Sequence, residues 1–193
     1  MDAGLAAVLG ATVGAIGTGG AGITAALLAR HQARAQLRAE HARIIREPRR
    51  AAYASYAESA IKNHNQLLKA LTNLNAASQR DPSEARSECI ATARQCYETV
   101  KTSGDEREQR HGQVTVEGPL AVTEAAVSCE SDFIDFKIQV MECLHQLEHG
   151  ESCDHNSITS TVEKCDKAYT SYLTYLHAAS RAINADGITR LPE

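Results

Sequence analysis

Apolar residues recur every three or four positions in four segments of the chain, the spacing of α-helices packed along one another. The two longest seams are Val122, Ala126, Cys129, Phe133, Phe136, Val140, Cys143 and Leu147, and then Ile158, Val162, Cys165, Tyr169, Tyr172, Leu176, Ala179 and Ile183. Two shorter seams are Tyr53, Ala57, Ala60, His64, Leu67, Leu71 and Leu74, and then Ala85, Cys89, Thr92 or Ala93, Cys96 and Val100. The pattern predicts an all-α fold with an antiparallel bundle of about four helices over residues 51–185.

Helix-breaking and helix-capping residues separate these seams. Pro119 is suited to begin the third helix, and His149-Gly150 to end it. Asn156 or Ser157 can cap the fourth helix. The charged stretch at residues 105–118 contains two glycines and predicts the longest loop of the bundle.

The N-terminal segment has a different pattern, because Ala3 to Ala29 is an uncharged run of 27 residues. At about 1.5 Å per residue such a helix reaches roughly 40 Å, and a hydrocarbon core is about 30 Å thick. The run predicts a transmembrane helix at residues 1–29. A cleaved signal peptide is the main alternative, but only Met1 and Asp2 precede the run and the positive charge follows it.

Seven arginines lie within residues 30–50, against two glutamates, and none precedes the apolar run. The positive-inside rule therefore predicts a single-pass protein of the cell membrane, with its N-terminus outside and its bundle in the cytoplasm. Residues 30–50 are interpreted as a basic juxtamembrane helix in which Arg30, Arg34 and Arg38 contact lipid headgroups. The alternative is that these arginines only set the topology. Residues 186–193 form the C-terminal tail.

Small residues are spaced by four along the predicted membrane helix, at Gly10, Gly14, Thr18 and Gly22. This pattern lets helix backbones approach closely in lipid, so it predicts packing against a second copy or another membrane protein. A general abundance of Ala and Gly in this segment is the alternative explanation. The segment also matches G-x-G-x-x-G, but no strand–helix–strand unit follows it, so no nucleotide is expected.

Charge is distributed unevenly along the chain. Residues 51–193 contain 13 basic and 21 acidic residues. Because nucleic-acid binding depends on neutralising phosphates, this bundle is not expected to bind nucleic acid. An unidentified cytoplasmic protein is the expected partner of the bundle.

Five of the six cysteines occupy seam positions, and only Cys153 falls in a connecting segment. In a reducing cytoplasm buried cysteines act as small apolar residues, so core packing is the prediction. A disulfide framework becomes the alternative if the topology is inverted.

Histidines and a cysteine are concentrated at the end of the third predicted helix. The sequence His145-Gln-Leu-Glu-His149 matches the H-x-x-E-H pattern of inverted zinc peptidases over five residues only. A metal site could be assembled from His145, His149 and either Cys153 or His155. The alternative is a solvated helix end, and no metal, cofactor or catalytic residue is assigned. His64, on an apolar stripe, is expected to be a hydrogen-bonded core residue.

The N-terminal region has a further likeness. The span is followed by Arg30-His-Gln-Ala-Arg34-Ala-Gln-Leu-Arg38 and then by Arg49-Arg50-Ala-Ala-Tyr53. Over residues 1–57 this composition resembles small actinobacterial membrane-anchored proteins of unknown function. The resemblance implies a topology but no activity and no site residue.

Three functional hypotheses follow. The first is a membrane-anchored scaffold, adaptor or regulator that acts through protein contacts without catalysis. The second is a membrane-active oligomer, holin-like or a defence effector, assembled through the small-residue face. The third is a metal-binding protein that uses His145 and His149.

Overall fold

A computed structural model describes residues 3–80, 84–151, 153 and 155–185 of the chain. Only the backbone is described for residues 3–27, Arg38, Ala42, Ile45 and His155. Within these ranges the chain forms helices and no strand, so the all-α prediction is confirmed. The helices are α1 (Ala3–Ser78), α2 (Glu84–Thr102), α3 (Gly104–Glu117), α4 (Leu120–Glu148) and α5 (His155–Ala185).

The chain divides into two compact units, residues 1–45 and residues 46–193. In the first unit the described backbone is helical, and the large apolar side chains of Leu28, Leu37 and Ile44 are exposed. Among the residues with described side chains, no helix is both long and apolar enough to cross a membrane. The predicted transmembrane helix at residues 1–29 lies almost entirely outside those residues.

The second unit is a bundle of four columns, because α2 and α3 follow one another along a single column. Only Ser103 separates them, and helical hydrogen bonding continues across it. The Ser103 N–H donates to the Thr99 carbonyl at 3.2 Å, and the Arg107 N–H donates to the Ser103 carbonyl at 3.1 Å. The Ser103 hydroxyl also donates to Asn63 Oδ1 on α1, at 2.9 Å. The hydrogen bond between Ser103 and Asn63 therefore holds the junction of α2 and α3 against α1.

Neighbouring columns run antiparallel, as paired contacts at two heights of the bundle show. On α4 and α5, Cys143 lies opposite Thr161, and Asp132 lies opposite Ser171. On α1 and α5, the Tyr175 hydroxyl donates to the Tyr53 carbonyl at 3.1 Å, and His64 lies opposite Cys165. The short connections between consecutive helices impose this up-and-down arrangement.

The interior of the bundle contains two hydrophobic clusters. The α2-side core consists of Leu67, Ala70, Leu71, Leu74, Ala77, Ala93, Cys96, Val100, Phe133, Phe136, Val140, Cys143, Leu144, Leu147, Cys153, Ile158, Cys165 and Ala168. The α3-side core consists of Ala52, Tyr53, Tyr56, Val114, Val122, Ala126, Cys129, Tyr175 and Ala179. The α2-side core is covered by α2, and the α3-side core is covered by α3. The break between these helices at Ser103 therefore lies at the boundary between the two cores.

The predicted loop at residues 105–118 is wrong, since most of it is α3. Asp105 and Glu106 occupy the first turn, where negative charge stabilises the exposed N–H groups. Val114 is fully buried, and Arg107 is buried against Glu130 of α4. Tertiary contacts with these two side chains stabilise a segment whose own sequence gives little helical signal.

The predicted seam of α4 is confirmed, because all eight of its members are buried. The predicted seam of α5 is partly wrong. Val162 and Tyr169 are 43% and 44% exposed, while Thr161 and Ala168 are buried instead. A straight helix turns by 3.6 residues and drifts about 20° per heptad from a 3.5-residue repeat. Thr161 can occupy the buried face because its hydroxyl donates to the Ser157 carbonyl at 2.7 Å.

The ends of α4 follow the predicted signals. Pro119 caps its N-terminus, and the preceding Gly118 is needed there because a Cβ atom would lie 2.7 Å from the Val114 carbonyl oxygen. At the C-terminus, Gly150 has a φ of 77°, and the Glu151 N–H donates to the Gln146 carbonyl at 2.9 Å. This is a Schellman motif, which requires a left-handed residue after the helix.

Candidate functional site

The two histidines of the H-x-x-E-H segment lie together at the end of α4. Their rings stack with centroids 4.1 Å apart, and both side chains are exposed. His149 Nδ1 lies 2.8 Å from the His145 carbonyl oxygen, within the same helical turn. Glu148 between them forms an ion pair with Arg94 of α2. Its carboxylate is therefore committed to a salt bridge between two helices.

The other predicted ligands are not brought to this pair. Cys153 is buried in the α2-side core, in contrast to the exposed histidines. The backbone of His155 begins α5, one residue before Asn156, and its side chain lies outside the described part of the structure. Among the described residues, no group of three or more His, Cys, Asp or Glu side chains is arranged to hold a metal ion.

The predicted membrane contacts fall in the first unit. Gly10, Gly14, Thr18 and Gly22 lie in the helical backbone of α1, and their surroundings are outside the described residues. Arg30 and Arg34 are exposed on the same helix, and the side chain of Arg38 is not described. Arg30 and Arg34 are therefore accessible to an external partner.

A buried ion pair connects α3 to α4 at the junction of the two cores. The Arg107 guanidinium donates to Glu130, and its carbon lies 3.5 Å from the centroid of the Phe133 ring. The Tyr56 hydroxyl donates to the Ala126 carbonyl at 3.3 Å and to Glu130 at 3.4 Å. The sequence pattern does not reveal this cluster, because the charged residues and glycines around Arg107 predict a loop.

Burial controls the titration of this junction. It raises the pKa of the Cys129 thiol to about 11, although the hydrogen bond with Tyr56 and the charge of Arg107 act in the opposite direction. Burial also raises the pKa of Tyr56. Both groups are therefore neutral at physiological pH. A thiol held in its neutral form is a poor nucleophile.

His64 lies beside this cluster and contacts both α4 and α5. Its ring centroid is 5.6 Å from those of Phe136 and Tyr169, and Cys165 Sγ lies 3.7 Å from its Nε2 atom. Burial lowers the pKa of His64, and Asp166 opposes the effect. The expected hydrogen-bonded core position is confirmed, with the thiol of Cys165 as the partner.

The cavity at this junction has a volume of about 10 Å³. It is lined by Tyr56, Ala60, His64, Arg107, Cys129, Phe133, Ala168 and Tyr172. A space of this size holds about one water molecule. It is too small to hold an organic molecule.

The outer face of α4 is apolar, directly opposite its buried seam. Val127, Ile134, Ile138 and Met141 are between 40% and 51% exposed, and Leu120 is 73% exposed. At 100° per residue these five side chains fall within about 60° of one another. We call this set the α4 outer stripe. Its seven-residue spacing was present in the sequence, but the stronger inner seam concealed it.

The bundle also has two open grooves, at opposite ends. One, of about 700 Å³, is lined by Arg86, Ser87, Ile90, Ala91, Arg94, Leu147, Glu148 and Gly150. The other, of about 460 Å³, is lined by Arg50, Tyr53, Ala54, Ala57, Leu176, Ala179, Ser180, Ile183 and Asn184. Both lie on the surface, where ligands have access.

Comparison with known proteins adds no relative from which a role could be carried over. No protein-family model matches the chain, and neither the curated proteins nor the solved structures contain a similar one.

Proposed function

We propose that the protein is a single-pass membrane-anchored helical bundle that acts through protein–protein contacts. In this proposal residues 1–29 span the cell membrane with the N-terminus outside, and residues 51–185 lie in the cytoplasm. The uncharged run and the seven arginines that follow it support the anchor and its orientation. Arg30, Arg34 and Arg38 then lie at the depth of the lipid headgroups.

The observation that carries the proposal is the α4 outer stripe. A surface helix normally turns one apolar face to the core and a polar face to water. Here both faces of α4 are apolar, and the outer one extends from Leu120 to Met141. Exposed apolar side chains grouped on one face of a helix mark a candidate interaction site. A partner helix could bury these side chains along several turns.

The border of the stripe is polar, as expected for an interface. Glu124 and Glu142 are exposed on one side of it, and Lys137 is half-buried on the other. Charged rims of this type contribute mainly to specificity and to the rate of association. The stripe therefore supplies the contact area, while its border favours a partner of complementary charge.

In-cell photocrosslinking tests the interface. We expect a benzophenone amino acid at Ile134 to give an adduct of one discrete mass, and the same probe at Leu68 to give none. Leu68 is the matched control because it is 42% exposed, against 40% for Ile134, but belongs to α1. Ile138→Glu should abolish the adduct. Equal crosslinking at both positions would contradict a specific interface.

Membrane extraction tests the anchor separately. We expect the chain to remain with membranes in alkaline carbonate and to be digested by protease in inverted vesicles. Removal of residues 1–29 should release it. Extraction of the intact chain by carbonate, or protection of the bundle in inverted vesicles, would reject the proposed anchor or its orientation.

A further inference from the structure

The groove of about 460 Å³ is asymmetric along its length. Its apolar and small lining residues extend along α1 and α5 from Ala54 to Ala57 and from Ile183 back to Leu176. Arg50 and Asn184 lie together at one end, because α1 and α5 run antiparallel. The groove thus combines an apolar channel with a polar end, the arrangement of a site for an amphiphilic molecule.

The polar end is cationic. Arg50 is exposed and forms no ion pair with any residue that the structure describes. Arg46 and Arg49 precede it on the same helix, against the single carboxylate of Glu47. An exposed guanidinium with uncommitted donors matches a carboxylate in both charge and geometry.

We propose that this groove binds a fatty acid, with its carboxylate on Arg50 and the first half of its chain between Ala57 and Leu176, because residues 50–57 of α1 span only about 10 Å. The volume falls within the range of small-molecule sites, about 300–1,000 Å³. The small side chains of Ala54 and Ala57 leave room for one acyl chain. This inference concerns a ligand of the bundle and does not depend on the α4 outer stripe.

The experiment uses the full chain in phosphatidylcholine nanodiscs, or in buffer if carbonate extracts the chain from membranes, with a palmitate that carries a photoactivatable diazirine on its chain. Mass spectrometry then locates the labelled residues. We expect labels within residues 53–57 and 176–183. Excess palmitate should compete at a concentration about tenfold lower than hexadecanol, which has the same chain but no carboxylate.

Variants separate the acyl channel from the cationic end. Ala54→Leu and Ala57→Leu should abolish labelling in the groove by filling it, and Arg50→Gln should remove the preference for palmitate over hexadecanol. Ala54 is exposed, so its substitution leaves the core intact if Ala57→Leu disturbs folding. Ala91→Leu, in the other groove, is the matched control and should leave labelling unchanged.

Three outcomes would overturn the proposal: labels confined to residues 3–29, equal competition by hexadecanol, or unchanged labelling in Ala54→Leu. The first would mean that the probe reports only contact with bilayer lipid. These results are independent of photocrosslinking at Ile134 and of carbonate extraction, so failure of the fatty-acid site is distinguishable from failure of the proposed function.

Discussion

The two cores of the bundle are stabilised in different ways. The α2-side core is composed mainly of aliphatic side chains, two phenylalanines and four cysteines. The α3-side core has three tyrosines set among alanines and valines. The first depends on the volume of apolar side chains removed from water. The α3-side core is stabilised by apolar burial and also by directional hydrogen bonds from its tyrosines.

The tyrosines show what this difference means. Tyr56 donates to a carbonyl of α4, and Tyr175 donates to a carbonyl of α1. Their rings meet edge to face with centroids 4.9 Å apart. Apolar packing is non-directional, whereas these contacts require one alignment of three helices. We infer that the α3-side core sets the register and that the α2-side core supplies most of the stability.

The largest loss of stability is expected from a substitution that leaves a cavity in the α2-side core. Phe136 is fully buried, so Phe136→Ala should lower the free energy of unfolding by about 3–5 kcal/mol. Urea denaturation followed by circular dichroism measures it. Ile138→Ala, on the outer face of the same helix, is the control and should cost less than about 1 kcal/mol. Similar costs for both variants would contradict the assigned burial.

The next effect concerns the ion pair at the junction. Arg107→Met should lower the free energy of unfolding by about 2–4 kcal/mol, because the Glu130 carboxylate then loses its partner in a partly buried position. Arg107→Met with Glu130→Met should recover much of that loss. A double-mutant cycle measures the coupling. Additive effects of the two substitutions would show that the pair is not coupled.

The sequence predicts the parts of this fold that are determined by a helix and its own apolar face. The α4 seam was predictable because its eight members from Val122 to Leu147 are all apolar or cysteine, whereas the buried Asp132 and Leu144 lie outside that repeat. The C-terminus of α4 was also predictable, since Gly150 supplies the left-handed residue. Both signals lie within the helix and its flanking residues, so they can be read without knowing which helices pack against it.

The rest depends on partners that are distant in sequence. Residues 105–117 are helical because α4 supplies Glu130 for Arg107 and a buried site for Val114. The metal hypothesis treated four residues near one helix end as neighbours, but Cys153 is buried in the core while His145 is exposed. Spacing along the chain gives proximity and does not give the direction in which a side chain points.

A smaller effect separates the tyrosine hydrogen bonds from ring packing. Tyr56→Phe and Tyr175→Phe keep the rings and remove the hydroxyls, so each should lower the free energy of unfolding by about 1 kcal/mol. Tyr97→Phe, beside the α2-side core, should have almost no effect because the Tyr97 hydroxyl forms no hydrogen bond with any residue that the structure describes. Equal effects at all three positions would remove the distinction between the cores.

The smallest expected effect is a change in how the free energy of unfolding depends on pH, through His64 at the boundary between the cores. Burial holds the pKa of His64 below its ordinary value of 6.5, with Asp166 opposing, while Cys165 and Tyr169 face the ring from α5 and Phe136 faces it from α4.

As the pH falls through 6.5, the unfolded chain binds a proton that the folded chain does not bind. The free energy of unfolding therefore decreases toward the lower folded-state pKa, and this contribution vanishes above about pH 7.5. His64→Gln should remove that part of the acid sensitivity in urea titrations, whereas His177→Gln, at an exposed position on α5, should retain it. Identical pH profiles for the wild-type chain and His64→Gln would show that the junction admits the protonated ring, and that the boundary between the two cores is open to water.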